Sequence, residues 1–268
     1  MPFADFHTHT LFSDGKATVR EMIDAARTRG ILSLGISDHS YTPFDTSYCM
    51  PDNTEQAYVA TVREEQKIAL ERYGFPVLLG TEFDYRSVID REAYDYTVGS
   101  VHYVCKNGEF YPVDSGVAKQ KKAIESAFGG NKLDLAKAYF EDLVRHAEQN
   151  KPTFIGHFDL LNKYGTFDES DPTYFAVAKE ALAEIVKHVP IFEVNMGAMA
   201  RGLRTVPYPA PPLLVELLRC GGSVILSSDA HSCENIAYRF DDATALLKKI
   251  GFTKRATITN KGVSETQL

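Results

Sequence analysis

Seven short apolar runs, most of them closed by a histidine or a carboxylate, constrain this 268-residue chain more than any other feature. The runs cover residues 3–8, 31–37, 76–82, 95–101, 152–157, 190–195 and 222–228. At or just past their ends stand His7-Thr8-His9, Asp38-His39, Glu82, His102, His157, and Asp229-Ala230-His231. Six of the eight histidines therefore fall where a strand would stop. Packing gives no reason for that placement, whereas a shared metal site gives one.

Between the runs lie segments of helical periodicity: 17–29, 53–73, 132–150, 173–188, 210–220 and 234–250. Thr18 opens the first and Gly30 closes it, and Gly251 closes the last. Strand and helix alternating about seven times specify a parallel sheet, because parallel neighbours need a crossover. Continuous rather than alternating apolar runs mean strands covered on both faces. An open sheet would gather its functional groups at one crevice, whereas a barrel collects them from many strand ends at one mouth. The expectation is an α/β fold, a distorted (β/α)7 barrel forming a single domain over residues 1–268. Residues 103–131 show no clear element and read as a long loop at the mouth, with Gly129-Gly130 as a turn.

Composition narrows the function. A net charge of −7 disfavours a nucleic-acid partner, which would call for a basic face. No run nears the roughly 20 apolar residues of a membrane span, and no basic-then-apolar leader opens the chain. A cytoplasmic protein is expected, with no membrane partner and its oligomeric state left open. Cys49, Cys105, Cys220 and Cys233 are far apart, without a C-x-x-C pair, and read as reduced and mostly buried.

His7 and His9, two apart on a strand, point to one side, and Asp229 and His231 repeat that spacing. Imidazole suits zinc, iron and manganese, while carboxylates can bridge two ions. Glu82 has the reach to be that bridge. Asp14 follows the first strand, and Asp38 reads as a residue that orients a neighbouring histidine. His146 and His188 fall in or at the end of helices and should bind no metal. Arg201 and Arg204 are candidates for a phosphate clamp, since guanidinium matches phosphate in a fork.

His7-Thr8-His9, Ser37-Asp38-His39, Gly156-His157 and Ser228-Asp229-Ala230-His231 together resemble the PHP (polymerase and histidinol phosphatase) superfamily, over essentially the whole chain. Ser37–Phe44, Gly99–Tyr103, Gly156–Leu160 and Tyr208–Pro211 are most similar to its histidinol-phosphatases. The resemblance implies two or three divalent ions (zinc, iron or manganese). The first would use His7, His9, Glu82 and Asp229; the second Glu82, His102 and His157; the third Asp14, His39 and His231. It also implies hydrolysis of a small phosphate monoester, L-histidinol phosphate, with Asp229 or His231 able to protonate the leaving group. Asp114 and Tyr41, with Phe44, Tyr48 and Tyr103, would face the ammonium and imidazole of that substrate. The rival readings are another PHP phosphoesterase acting on nucleotides or other small esters, a metal-dependent amidohydrolase, and a non-catalytic metal binder.

Overall fold

The computed structural model describes residues 3–167 and 170–268. In chain order the strands and helices run β1 (Ala4–Asp5), α1 (Val19–Thr28), β2 (Ser33–Ile36), α2 (Glu55–Tyr73), β3 (Val77–Asp84) and β4 (Tyr96–Ser100). The chain continues with β5 (Tyr103–Lys106), β6 (Glu109–Pro112), α3 (Val117–Ala127), α4 (Lys132–Asn150), β7 (Phe154–Ile155) and α5 (Pro172–Val186). It ends with β8 (Ile191–Asn195), the short α6 (Gly197–Ala200), α7 (Pro211–Arg219), β9 (Ser223–Ser227), α8 (Phe240–Ile250), β10 (Lys254–Thr259) and β11 (Gly262–Gln267).

Seven strands form one parallel sheet in the order β1-β2-β3-β4-β7-β8-β9. The two edges meet just beyond β1 and β9. Thr8 and Ala230 form a parallel bridge there, with the His9 N–H donating to the Ala230 carbonyl at 2.9 Å. The sheet is thus a nearly closed α/β barrel, as the alternating pattern predicts.

Its interior is filled rather than hollow. The Tyr96 ring lies over the two strands next to its own in the sheet, β3 and β2, and both make room for it with glycine. A Cβ on Gly35 would stand 2.2 Å from the Tyr96 hydroxyl, and one on Gly80 only 2.3 Å from ring carbon Cζ. Any side chain at either place would displace the ring. Phe6, Leu78, Val98, Phe154 and Ile225 pack with Tyr96, and Ala256 and Ile258 of β10 join them. The C-terminal β10–β11 hairpin therefore closes the barrel end where the strands begin, leaving the other end free for polar groups.

The sequence expectations require three corrections. Residues 103–131 contain a β5–β6 hairpin and helix α3. Asn107-Gly108, both at positive φ, make the tight turn that right-twisted hairpins favour. The last helix starts at Phe240 instead of 234, preceded by a short 3-10 turn at Cys233–Asn235. Of the four cysteines, all free, only Cys49 is buried; the other three are partly exposed. Among the described residues, no helix is long and apolar enough to cross a membrane.

Candidate metal centre

At the C-terminal ends of the strands, nine side chains converge. Glu82, near the end of β3 and fully buried, stands at their centre. Its Oε2 is 3.1 Å from His7 Nε2, 3.6 Å from His9 Nε2 and 3.0 Å from His39 Nδ1. The other oxygen, Oε1, is 2.9 Å from His157 Nε2 and 3.6 Å from His102 Nε2. Asp229 Oδ1 approaches His9 Nε2 at 3.3 Å and His231 Nδ1 at 3.5 Å, and Asp14 Oδ2 lies 3.2 Å from His231 Nε2. One carboxylate thus faces five imidazoles from four parts of the chain.

These atoms fall into three groups compact enough to hold an ion: His7, His9 and Glu82; His39, Glu82 and His102; and His9, Asp14, His39 and His231. The His9 imidazole is fully buried, yet neither ring nitrogen has a hydrogen-bond partner, and the Nδ1 atoms of His102 and His157 are also unpartnered. Buried polar atoms are ordinarily paired, so an imidazole left this way among carboxylates fits a metal ligand. The residues fit the implied ions. The grouping differs from the expected one: His9 also reaches the Asp14 cluster, His39 sits between two clusters, and Asp229 and His157, expected in the first and second sets, border the groups without falling in one.

The electrostatics agree. Burial opposes the charge on Glu82, but His39, His7 and His102 hold its carboxyl well below the usual range. For Asp229 burial is likewise outweighed, by Arg201, His9 and His7. Burial, helped by His231 and His39, brings His9 down to about 3, so its ring stays neutral as a ligand must. Burial would also lower His7, His39, His102 and His231, but nearby carboxylates raise all four above their ordinary value. In the metal-free protein these four rings therefore hold a proton more readily than a free imidazole does. Metal binding at pH 7 should release protons, and affinity should fall as pH drops. Titration calorimetry in two buffers of different ionisation enthalpy checks this; identical heats in both would contradict it.

The loops that carry the ligands are held from behind. Asp38 accepts from Thr10 N at 2.7 Å, Thr10 Oγ1 at 2.7 Å and Ser13 Oγ at 2.6 Å. Its role is to pin the turn that presents Asp14, a correction to the expectation that it hydrogen-bonds a histidine. Asp229 sits at φ 49°, in the left-handed region. Arg201 fixes it there, with Nη2 3.0 Å from Oδ2 and Nη1 3.1 Å from its carbonyl.

Comparison with known proteins agrees with this arrangement. The PHP domain family model matches residues 5–196. This chain belongs to the PHP family. A Schizosaccharomyces pombe protein named probable histidinol-phosphatase is 26% identical, the alignment covering 96% of this chain and 90% of that one. A Deinococcus radiodurans protein of the same name is 29% identical over 92% of this chain and 93% of its own. The crystal structure of histidinol phosphate phosphatase from Lactococcus lactis, holding zinc, L-histidinol and phosphate, superposes with a TM-score of 0.71. Identity there is 21%, with 98% of each chain covered.

Glu193 is the functional residue of this PHP chain that sequence reading missed. It is fully buried in β8, where Oε2 receives His7 Nδ1 at 2.7 Å and Ser227 Oγ at 2.5 Å. Its Oε1 receives the His157 N–H at 2.5 Å and Asn195 Nδ2 at 2.7 Å. A carboxylate behind a ligating imidazole fixes the ring's tautomer and turns Nε2 toward the cluster. A lone glutamate inside the apolar run 190–195 was the available signal.

Above the cluster opens a cavity of about 340 Å³, lined by the ligands Asp14, His39, Glu82, His102, His157, Asp229 and His231 together with Arg201, Asp114, Lys163, Asp45 and Tyr48. His7 and His9 lie beneath it, fully buried. Arg204 turns away from the cavity; its guanidinium bonds the Asn162 carbonyl at 3.0 Å and Asp159 at 3.3 Å. Its place among the clamp candidates is corrected, because that geometry commits it to the 157–163 loop. Tyr41 does not line the cavity, and Phe44 lines a neighbouring groove, stacked on Phe110 at 4.0 Å. Asp114 does line it, but Lys163 stands 3.0 Å from its carboxylate. His146 is buried against the Phe83 carbonyl, and His188 pairs with Glu184 at 3.7 Å, both away from the cluster as expected.

Proposed function

We propose that this PHP-family hydrolase is a metal-dependent phosphatase that converts L-histidinol phosphate and water into L-histidinol and inorganic phosphate. The observation that carries the reading is Glu82, shared by two of the three ligand groups, with a guanidinium beside them. His7, His9, Glu82 and Asp229 would hold one ion, Glu82, His102 and His157 a second, and Asp14, His39 and His231 a third, with zinc, iron or manganese all compatible. Divalent ions there supply Lewis acidity and make water nucleophilic at neutral pH.

The chain's own groups have separate tasks. Asp14, Glu82 and Asp229 bring about −3, so two or three divalent ions leave the cavity positive and attractive to a phosphate dianion. Arg201, held by Asp229, presents its guanidinium to the phosphoryl oxygens. His231, 3.5 Å from the Asp229 carboxylate at the mouth, or a water held by the ions would pass a proton to the departing alkoxide. The names of the relatives and the L-histidinol in the Lactococcus lactis structure support the choice of ester.

Phosphate release from a panel of monoesters, each assayed with zinc, iron and manganese, tests the assignment. L-Histidinol phosphate should be the best substrate; equal rates on nucleotides and simple alkyl phosphates would remove it while leaving the reaction class. The two arginines should behave differently. Arg201→Lys keeps the charge but loses the fork, and KM should rise about tenfold to a hundredfold, the loss of one hydrogen bond to a charged group. Arg204→Lys should leave KM within about twofold and lower thermal stability instead, since its partners belong to the fold. Equal effects on KM would contradict the distinction.

A further inference from the structure

Besides the metal-centre carboxylates, the cavity wall carries two more, Asp45 and Asp114, and they are in different states. Asp114 is answered by Lys163 at 3.0 Å. Asp45, on the loop between β2 and α2, has no lysine or arginine within ion-pair distance among the described residues. Its Oδ1 accepts the Ser47 N–H at 2.9 Å, and Oδ2 accepts the Tyr103 hydroxyl. Each oxygen keeps lone-pair capacity after those bonds. The carboxylate is thereby fixed in orientation but not neutralised.

Its position relative to the metal ligands is set by aromatic rings. Tyr48 stands edge-on to His39 at 4.9 Å and stacks on Tyr103 at 6.2 Å, and the Tyr103 hydroxyl ends at Asp45. Asp45 is thus two aromatic rings out from the His39 imidazole. A phosphate seated on the metal ligands would place the far end of a small ester along the Tyr48–Tyr103 wall. A fixed carboxylate beside two π-faces recognises a cation, through charge and through the ring quadrupole. Lys163 is committed to Asp114 and Arg201 to Asp229, while Lys16 and Lys119 are exposed at the rim; Lys119 acts on the Asp45 charge but stands outside ion-pair distance of it.

We propose that Asp45, oriented by Tyr103 and backed by Tyr48, is the specificity-determining residue that selects phosphate monoesters whose alcohol carries a positive charge at its distal end. This rests on the phosphatase reading above, and it replaces Asp114 in the recognition role expected from the sequence.

The test compares kcat/KM for L-histidinol phosphate and ethanolamine phosphate with that for phenyl phosphate and glycerol phosphate, in the metal-loaded full-length enzyme. The wild type should prefer the cationic esters at least tenfold. Asp45→Asn should cut that preference by tenfold or more, through KM for the cationic esters, with kcat and the neutral esters within twofold. Asp45→Lys, which keeps the loop polar, should push the preference below one. A parallel fall for all four esters, an unchanged ratio, or a wild type without cation preference would each overturn the proposal. Faster hydrolysis of ethanolamine phosphate than of L-histidinol phosphate would remove the substrate assignment but leave Asp45 as the cation selector.

Discussion

Glu82→Gln should lower kcat/KM for phosphate-ester hydrolysis by about a thousandfold or more. Losing a residue that merely supports a ligand costs 10- to 100-fold, and Glu82 is itself common to two ligand groups. Glutamine is nearly isosteric, so packing around β3 should survive. What goes is one negative charge and the symmetric pair of oxygens that face His7, His9 and His39 on one side and His102 and His157 on the other. The amide also brings two donors toward imidazole nitrogens and toward Ser100 Oγ, which now donates to Oε1 at 2.5 Å. Steady-state kinetics together with metal analysis check this. A variant with near-normal turnover and full metal content would show that Glu82 is not the bridge.

Stripping the metal should lower the melting temperature by about 10 °C or more. Without ions, the His9 ring lies 4.4 Å from that of His39 and 4.2 Å from that of His231, in a nearly dry pocket where three of the four raised histidines neighbour one another. An ion held at a thousandfold excess over its dissociation constant stabilises by about 4 kcal/mol, and in a chain of this size each kcal/mol moves the midpoint by about 2–4 °C. Differential scanning fluorimetry before and after chelation, with metal added back, measures the shift. An unchanged midpoint would mean that the cluster is stable by its own hydrogen bonds.

The barrel and the ligands were legible in the sequence because one physical cause produced both signals. Parallel strands covered on each face must be short apolar runs, and polar groups at their ends have nowhere to go but the mouth. Helices such as Lys132–Asn150 were legible to the residue because Asn131 caps the start through its side chain. The β10–β11 hairpin left no such trace. Its outer strand, with Ser264, Glu265 and Thr266, is exposed and polar, so nothing marks it as structure until Ala256 and Ile258 are seen inside the barrel. Arg201 and Arg204 looked equivalent for a different reason: which one lines the cavity depends on Asp159 and Asp229, residues distant in sequence. Glu193 was hidden by its apolar neighbours. A carboxylate buried by four hydrogen bonds, three of them from other strands or their ends, cannot be told from a surface residue by local pattern alone.

The seam at Thr8 and Ala230 bears on the order of events in the cell. His7 and His9 leave the ribosome first, while Asp229 and His231 emerge roughly 10–45 s later at ordinary rates of synthesis. Until then the nascent chain exposes half a coordination sphere, able to take up stray copper or zinc from its surroundings. Selection of the correct ion therefore falls to the finished barrel, in which both halves of the site stand together across the seam.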